Sequence, residues 1–136
     1  MANMKIEEIE GIGPAFGEKL RAAGVKDTDA LLERACEKKG RQALAEETGI
    51  SEKQILSWCN AADLCRISGI GSEYSELLEC AGVDSVPELA QRNAANLAAK
   101  LAEVNEEKKL TRKVPTESMV EGWVEQAKGM EKIVHH

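Results

Sequence analysis

The feature that most constrains the fold of this chain is a match of the sequence to itself at an offset of 58 residues. Residues 9–13 read IEGIG and residues 67–71 read ISGIG. Residues 23–25 and residues 81–83 both read AGV. A repeat of this length predicts that one small structural unit occurs twice. Two copies are too few for an extended solenoid, so they favour a pseudo-symmetric pair.

Further along the chain the sequence matches itself at an offset of 65, which aligns Trp58 with Trp123. The change of seven residues predicts an insertion in the second copy within 104–115. The chain has four aromatic residues, and all of them fall in matched pairs, because Phe16 faces Tyr74 at the first offset. This pairing supports a duplication and predicts that the rings serve packing.

The composition favours helices, since Ala, Leu, Glu and Lys abound and no stretch alternates as a strand would. We therefore predict an all-α fold in which two pseudo-symmetric four-helix units pack as one compact body. A lone unit of ~60 residues would be marginally stable. The predicted domains are residues 1–64 and 65–130, with 131–136 as a disordered tail or tag remnant.

The helix boundaries follow from glycine, proline and capping residues. The glycines of residues 11–13 predict a tight turn with unusual backbone angles, and Pro14 fits the first position of the helix that follows. Gly24 predicts a left-handed end to that helix. The other helix starts are predicted at Asp27 or Thr28, Lys39, Ser51, Ser72, Val86-Pro87, Asn93 and Thr116.

Charge and cysteine usage limit the functional classes. The net charge is −6 and is shared equally by the two halves, which lowers the expectation of a protein that binds DNA through a dense basic face. The four cysteines lack the spacing of a zinc site and predict reduced, mostly buried thiols in a cytoplasmic protein. No apolar stretch approaches the length of a membrane span, so we expect no membrane partner.

Catalysis lacks its usual side chains. The only histidines are His135 and His136, which we set aside because they resemble the remnant of a purification tag. Without an internal histidine, acid–base and nucleophilic mechanisms lack their common parts. Glycines 11, 13 and 17 do not have dinucleotide-binding spacing. We therefore predict no enzyme activity, no catalytic residue, no metal, no cofactor and no small-molecule substrate.

Residues 9–25, IEGIGPAFGEKLRAAGV, closely resemble the helix-hairpin-helix motif of DNA repair and recombination proteins, and residues 67–83 resemble it too. From about residue 5 to 130 the chain also resembles a bacterial family of tandem helix-hairpin-helix domains of unknown function. The tracts 49–58 and 90–93 contribute to that resemblance.

The resemblance implies a way to bind nucleic acid. In DNA-binding hairpins, backbone N–H groups of the turn and of the following helix hold a phosphate. Carried over to this chain, the contacts would involve a set of turn residues and two nearby cations. These are Gly11, Ile12 and Gly13, with Lys19 and Arg21 nearby, and Gly69, Ile70 and Gly71 in the second turn.

The second hairpin departs from this pattern because no Lys or Arg occurs from Ser72 through Val86, where three glutamates lie instead. Carboxylates beside a phosphate would repel it. We therefore expect at most the first hairpin to be equipped for phosphate.

The densest basic cluster lies in the predicted insertion, and a smaller basic group occurs earlier in the chain. The cluster comprises Lys108, Lys109, Arg112 and Lys113, and the group comprises Lys38, Lys39 and Arg41. Either set could meet phosphates or an acidic partner, but a solvated loop or helix end is the simpler interpretation.

Two hypotheses remain. In the first, the chain is a helical scaffold that binds a protein partner or a copy of itself. In the second, it binds nucleic acid weakly and without sequence preference through the first hairpin.

Overall fold

A computed structural model describes residues 3–135 and shows a helical chain. The helices are α1 Pro14–Ala22, α2 Thr28–Ala35, α3 Lys38–Thr48, α4 Glu52–Leu64, α5 Ser72–Cys80, α6 Val86–Ala90, α7 Ala94–Lys108 and α8 Glu117–Lys128. A short 3-10 turn over Ile6–Glu8 precedes α1. Within 3–135 no strand forms, and an isolated bridge joins Lys5 to Asp27. The prediction of an all-helical, compact chain is confirmed.

None of the helices in the described part of the chain has the length and apolar character that crossing a bilayer requires.

Side-chain caps start four of the helices where the sequence predicted them. In each cap a side-chain oxygen accepts a hydrogen bond from the backbone N–H three residues later. The pairs are Asp27 Oδ1 with Ala30 at 2.8 Å, Ser51 Oγ with Gln54 at 3.2 Å, Asn93 Oδ1 with Asn96 at 3.0 Å and Thr116 Oγ1 with Met119 at 3.1 Å. Each cap satisfies an N–H group that the first helical turn leaves without a partner.

The two glycine turns are built alike, but only the first glycine of each needs its special conformation. Gly11 has φ +91° and Gly69 has φ +96°. Gly13 and Gly71, by contrast, have extended backbones with φ −86° and −98° and cap α1 and α5. The prediction of unusual backbone angles was therefore right for the first glycine and wrong for the second.

A tryptophan packs against each of the first glycines. A Cβ added to Gly11 would lie 3.5 Å from Trp58 Nε1, and one added to Gly69 would lie 3.0 Å from Trp123 Nε1. Both tryptophans are buried. The turns therefore lie directly over the last helix of each half, α4 and α8.

The buried apolar side chains form two clusters. One draws on Ile6 to Ala62, and the other on Leu64 to Ala127. Helix α4 packs against α2 and α3, helix α8 packs against α6 and α7, and α4 contacts α5. The division of the chain at residue 64 stays a prediction, and Leu64 itself packs in the second cluster.

The segment after α8 packs back onto the first cluster, which differs from the predicted disordered tail over 131–136. Val134 is buried there, and the N–H of His135 donates to the carbonyl of Cys36 at 2.8 Å. The apolar Val134 side chain accounts for the difference, because burying it stabilises the packed segment. His136 lies outside the described residues.

A buried ion pair joins the two clusters at the end of α4. Asp63 accepts from Arg66 Nη1 at 2.6 Å and from the N–H of Val86 at 3.2 Å. Arg66 also donates to the carbonyl of Glu131 at 3.3 Å. Through these bonds the pair connects α4 to α6 and to the C-terminal segment. Removal of one partner would be costly, because it would leave the other charge buried without a counter-charge.

The glycine–tryptophan contact gives a stability prediction. Gly69→Ala should lower the free energy of unfolding by about 1–3 kcal/mol, because alanine is strained at positive φ and its Cβ crowds the indole. Gly122→Ala is the matched control, since a Cβ there meets nothing within 4 Å and the site lies within α8. It should stabilise by about 0.5–1 kcal/mol. Equal effects of both variants in urea unfolding would contradict the prediction.

Candidate functional site

The central residue of each turn uses its backbone N–H group within the turn. The N–H of Ile12 donates to the carbonyl of Ile9 at 3.1 Å, and the N–H of Ile70 donates to Ile67 at the same distance. Both isoleucine side chains are buried. The backbone donors of Ile12 and Ile70 thus close the turns, and the assignment of these two residues to phosphate contact stays a prediction.

The cations of the first hairpin are partly engaged within the chain. Arg21 forms an ion pair with Glu7. Lys19 Nζ lies 6.0 Å from the centroid of the Phe16 ring, within the range of a cation–π contact. Phe16 is itself 38% exposed and lies against Trp58, so the expectation that this ring packs in the core is only partly met.

The second turn has cations that the sequence did not place there. Arg112 and Lys113 lie across a groove of about 460 Å³ from Gly69 and Gly71. The expectation that at most the first hairpin is equipped for phosphate stays a prediction, but the predicted insertion supplies cations beside the second turn that α5 lacks. Glu73 lines the same groove and opposes them electrostatically.

Hydrogen bonds hold the inserted loop beside the second turn. The side chain of Asn105 donates to the Thr111 carbonyl at 3.1 Å and accepts from its N–H at 2.9 Å. The Tyr74 hydroxyl donates to the Lys113 carbonyl at 3.1 Å. Phe16, which holds the place of Tyr74 in the first half, has no hydroxyl for such a bond.

The predicted basic cluster is a solvated helix end and loop. Lys108 ends α7, Lys109 follows at φ +53°, and both lysines are exposed together with Arg112 and Lys113. The smaller basic group does not act as one surface. Lys38 and Lys39 are exposed, whereas Arg41 is 3% exposed.

Arg41 is a structural residue. It donates to the carbonyl of Ala35 at 2.9 Å and to that of His135 at 2.7 Å. The expectation that Arg41 could meet phosphates is therefore wrong, because its guanidinium is buried and already bonded.

The sequence analysis missed a second groove, of about 200 Å³, where α4 faces α5. We call it the α4/α5 groove. It is lined by Glu10, Gly11, Gln54, Ser57, Trp58, Ala61, Ser75, Glu76, Glu79 and Cys80. These lining residues include three carboxylates and no lysine or arginine. In the sequence, the glutamates of α5 indicate only that phosphate is disfavoured, because no pattern there places α5 against α4.

The carboxylates of the α4/α5 groove are electrostatically crowded. Partial burial raises the pKa of Glu76 above its usual value, and the nearby Glu10, Glu79 and Glu73 raise it further. Partial burial also raises the pKa of Glu79, with Asp84 adding to the shift and a hydrogen bond from Ser57 Oγ at 3.1 Å opposing it. The groove therefore favours a cation or a proton.

Trp58, which lines this groove, has a buried indole N–H that faces the Gly11 turn. Trp58 is 2% exposed, and its Nε1 has no hydrogen-bond acceptor within the described chain. A buried donor left unpaired costs about 1–3 kcal/mol. The site thus combines excess negative charge with an unsatisfied donor.

The cysteines carry no sign of activation. Burial raises the pKa of Cys59 to about 12 and raises that of Cys65 as well. Partial burial raises the pKa of the Cys80 thiol, which is the exposed one, and the nearby positive charge of Lys108 opposes that rise. In residues 3–135 all four thiols are free, and His, Cys, Asp and Glu form no group of three suited to a metal ion.

The raised pKa of Glu76 gives a prediction about pH. The folded state binds this proton more tightly than the unfolded chain, so stability falls as the pH rises from about 4.5 through the raised pKa. Glu76→Gln should remove that loss and raise the free energy of unfolding at pH 7 by about 0.5 kcal/mol or less. The gain should vanish near pH 4. Glu121→Gln, on the exposed face of α8, is the control, and an equal gain there would contradict the prediction.

Comparison with known proteins gives a family but no function. No curated protein matches the chain, and no solved structure matches it. A family model described as a domain of unknown function, DUF4332, matches residues 10–130. Since this match includes both glycine turns and the helices α1 to α8, the chain belongs to the DUF4332 family.

Proposed function

We propose that this chain is a non-enzymatic helical module that acts by binding a protein partner or a second copy of itself. The observation that carries the proposal is the α4/α5 groove, where carboxylates crowd together and the buried Trp58 N–H has no acceptor within the described chain. Both features cost stability in the free chain. A partner that supplied positive charge would relieve the crowding of the carboxylates.

We further propose that the chain consists of two pseudo-symmetric helix-hairpin-helix units. Parallel backbone bonds support this. The N–H of Val25 donates to the carbonyl of Leu20 at 2.8 Å, and the N–H of Val83 donates to the carbonyl of Leu78 at 2.9 Å. The ring pairs support it as well, because their centroids lie 5.2 Å apart in Phe16–Trp58 and 5.3 Å apart in the pair of Tyr74 with Trp123.

The electrostatics favour a protein partner over nucleic acid. The net charge is −6. At the first hairpin, which the resemblance singled out, Glu7 neutralises Arg21. Nucleic acid binding relies on cations that are free to neutralise phosphates, so this hairpin is poorly equipped.

Nucleic acid binding remains a second candidate because of one observation. Arg112 and Lys113 face the second turn, and neither forms an ion pair within residues 3–135. Helix α5 begins with Ser72 where α1 begins with Pro14, so α5 has one more N–H at its start. In this alternative, the second hairpin makes the stronger phosphate contact.

We also propose a cytoplasmic location, which the four free thiols support. Two of them, Cys59 and Cys65, are buried within the helical clusters. Unpaired cysteines are typical of reducing compartments.

The protein-binding proposal predicts a crosslinking result. Benzoylphenylalanine in place of Gln54, which lines the α4/α5 groove, should form a photo-adduct with a protein or a second copy when the full chain is produced in cells. The same substitution at Gln91, an exposed residue at the end of α6, should not. Mass spectrometry of the adducts provides the measurement. Equal adducts at both sites, or none at Gln54, would contradict the proposal.

The nucleic acid alternative predicts which cations matter. Arg112→Gln with Lys113→Gln should weaken binding of a labelled DNA duplex at low salt more than Lys19→Gln with Arg21→Gln does. The slope of log affinity against log salt should fall by about 2 for the first pair. Lys38→Gln with Lys39→Gln controls for net charge. If both hairpin pairs behave like this control, phosphate binding at the turns is excluded.

A further inference from the structure

The C-terminal segment after α8 lies against the rest of the chain like a bound peptide. Within the described residues, the hydrogen bonds that join it there use its main-chain atoms. The N–H of His135 donates to the carbonyl of Cys36 at 2.8 Å, and the carbonyl of His135 accepts from Arg41 at 2.7 Å. The carbonyl of Glu131 accepts from Arg66 at 3.3 Å. We call Cys36, Arg41 and Arg66 the segment slot. Since main-chain atoms are common to all residues, another segment can make the same bonds.

The two arginines of the segment slot require oxygen acceptors from its occupant. Both are buried, since Arg41 is 3% exposed and Arg66 is 8% exposed. Arg41 forms no ion pair within the described part of the chain, and its guanidinium donates to the carbonyls of Ala35 and His135. Arg66 pairs with Asp63 and shares its remaining donors with the segment. The slot therefore suits a peptide that offers carbonyl oxygens at these two places.

The C-terminal segment buries little apolar surface in return. Val134 is 2% exposed, Ile133 is half-buried, and the side chains of Glu131, Lys132 and His135 are exposed. A segment held by so few buried apolar groups opens at a low cost in free energy.

The slot is also only partly filled beside Ile133. A groove of about 410 Å³ lies there, lined by Asp29, Leu32, Glu33, Cys36, Arg66 and Ile133. A larger apolar side chain in place of Ile133 would reach further into this groove and bury more apolar surface. The segment of this chain is therefore not the best occupant that the slot can take.

We infer that the segment slot is a docking site for a short peptide segment of a partner protein, which the C-terminal segment covers in the free chain. The partner segment has a β-branched residue in the place of Val134 and a large apolar residue in the place of Ile133. Its carbonyls accept from Arg41 and Arg66. In such sites main-chain bonds supply affinity and side-chain pockets supply specificity. The inference rests on the proposed protein-binding function but uses a surface other than the α4/α5 groove.

The test titrates the ¹⁵N-labelled full chain with capped synthetic peptides that have the sequence of residues 131–136. The peptide with Ile133→Phe should displace the segment, so the amide signals of Val134 and His135 should move with saturation. The peptide without a substitution should bind about threefold to tenfold more weakly, because it leaves the groove unfilled. The peptide with Val134→Asp is the control and should leave both signals in place.

A variant of the full chain opens the slot, because the tethered segment competes with free peptide at a high effective concentration. Val134→Asp in the chain should raise the affinity for the fluorescein-labelled Ile133→Phe peptide by about tenfold or more. Lys132→Asp, at an exposed residue of the same segment, is the matched control and should leave the affinity unchanged. The signals of the two indole N–H groups report whether each variant is folded. If Val134→Asp does not fold, the titration of the unsubstituted chain decides.

Three results would overturn the inference. The first is that neither the unsubstituted chain nor the Val134→Asp variant binds the Ile133→Phe peptide. The second is that the control peptide with Val134→Asp binds equally well. The third is that Lys132→Asp raises the affinity as much as Val134→Asp does.

Failure of this inference and failure of the proposed function are distinguishable. If Gln54 crosslinks a protein while no peptide displaces the segment, the protein-binding function stands and the docking site falls. If a peptide displaces the segment while Gln54 gives no adduct, the docking site stands and the function of the α4/α5 groove falls. If sedimentation shows dimers of the full chain that Val134→Asp abolishes, the occupant is the segment of a second copy, and the assignment to a different protein falls.

Discussion

The contact between a glycine turn and a tryptophan ring fixes the geometry on which the rest of this structure depends. Gly11 at positive φ lies against Trp58, and Gly69 at positive φ lies against Trp123. A Cβ at Gly69 would crowd the indole at 3.0 Å, whereas a Cβ at Gly11 would contact it at 3.5 Å. The turn can therefore approach the last helix of its own half closely, which sets the direction of the helix that leaves the turn.

That shared geometry carries different chemistry in the two halves. In the second half a tyrosine hydroxyl ties down the inserted loop, so that Arg112 and Lys113 lie beside the turn. The first half has a phenylalanine instead and a shorter connection, 49–51, in place of 109–116. The acidic groove arises from neither half alone. It forms where α4 of one faces α5 of the other, so its carboxylates converge only when both halves are packed together.

Local sequence signals predicted the helices well and the tertiary contacts poorly. Caps such as Ser51 and Thr116 act within one helical turn, so the local sequence is enough to predict their effect. The neighbours of Arg41 and of the glutamates on α5 depend on segments far away in sequence. The buried position of Arg41 requires the carbonyl of His135, and a sequence pattern does not show that the C-terminal segment returns to α3. The predicted insertion includes the loop beside the second turn, and that loop is held there by the side chains of Tyr74 and Asn105.

The central claim is that each glycine turn lies against the indole of its own half. The most direct test is a nuclear Overhauser measurement between the indole Hε1 of each tryptophan and the Hα protons of its glycine. The account predicts a cross-peak for Trp58 with Gly11 and another for Trp123 with Gly69. A folded chain whose spectrum lacks either cross-peak would contradict it.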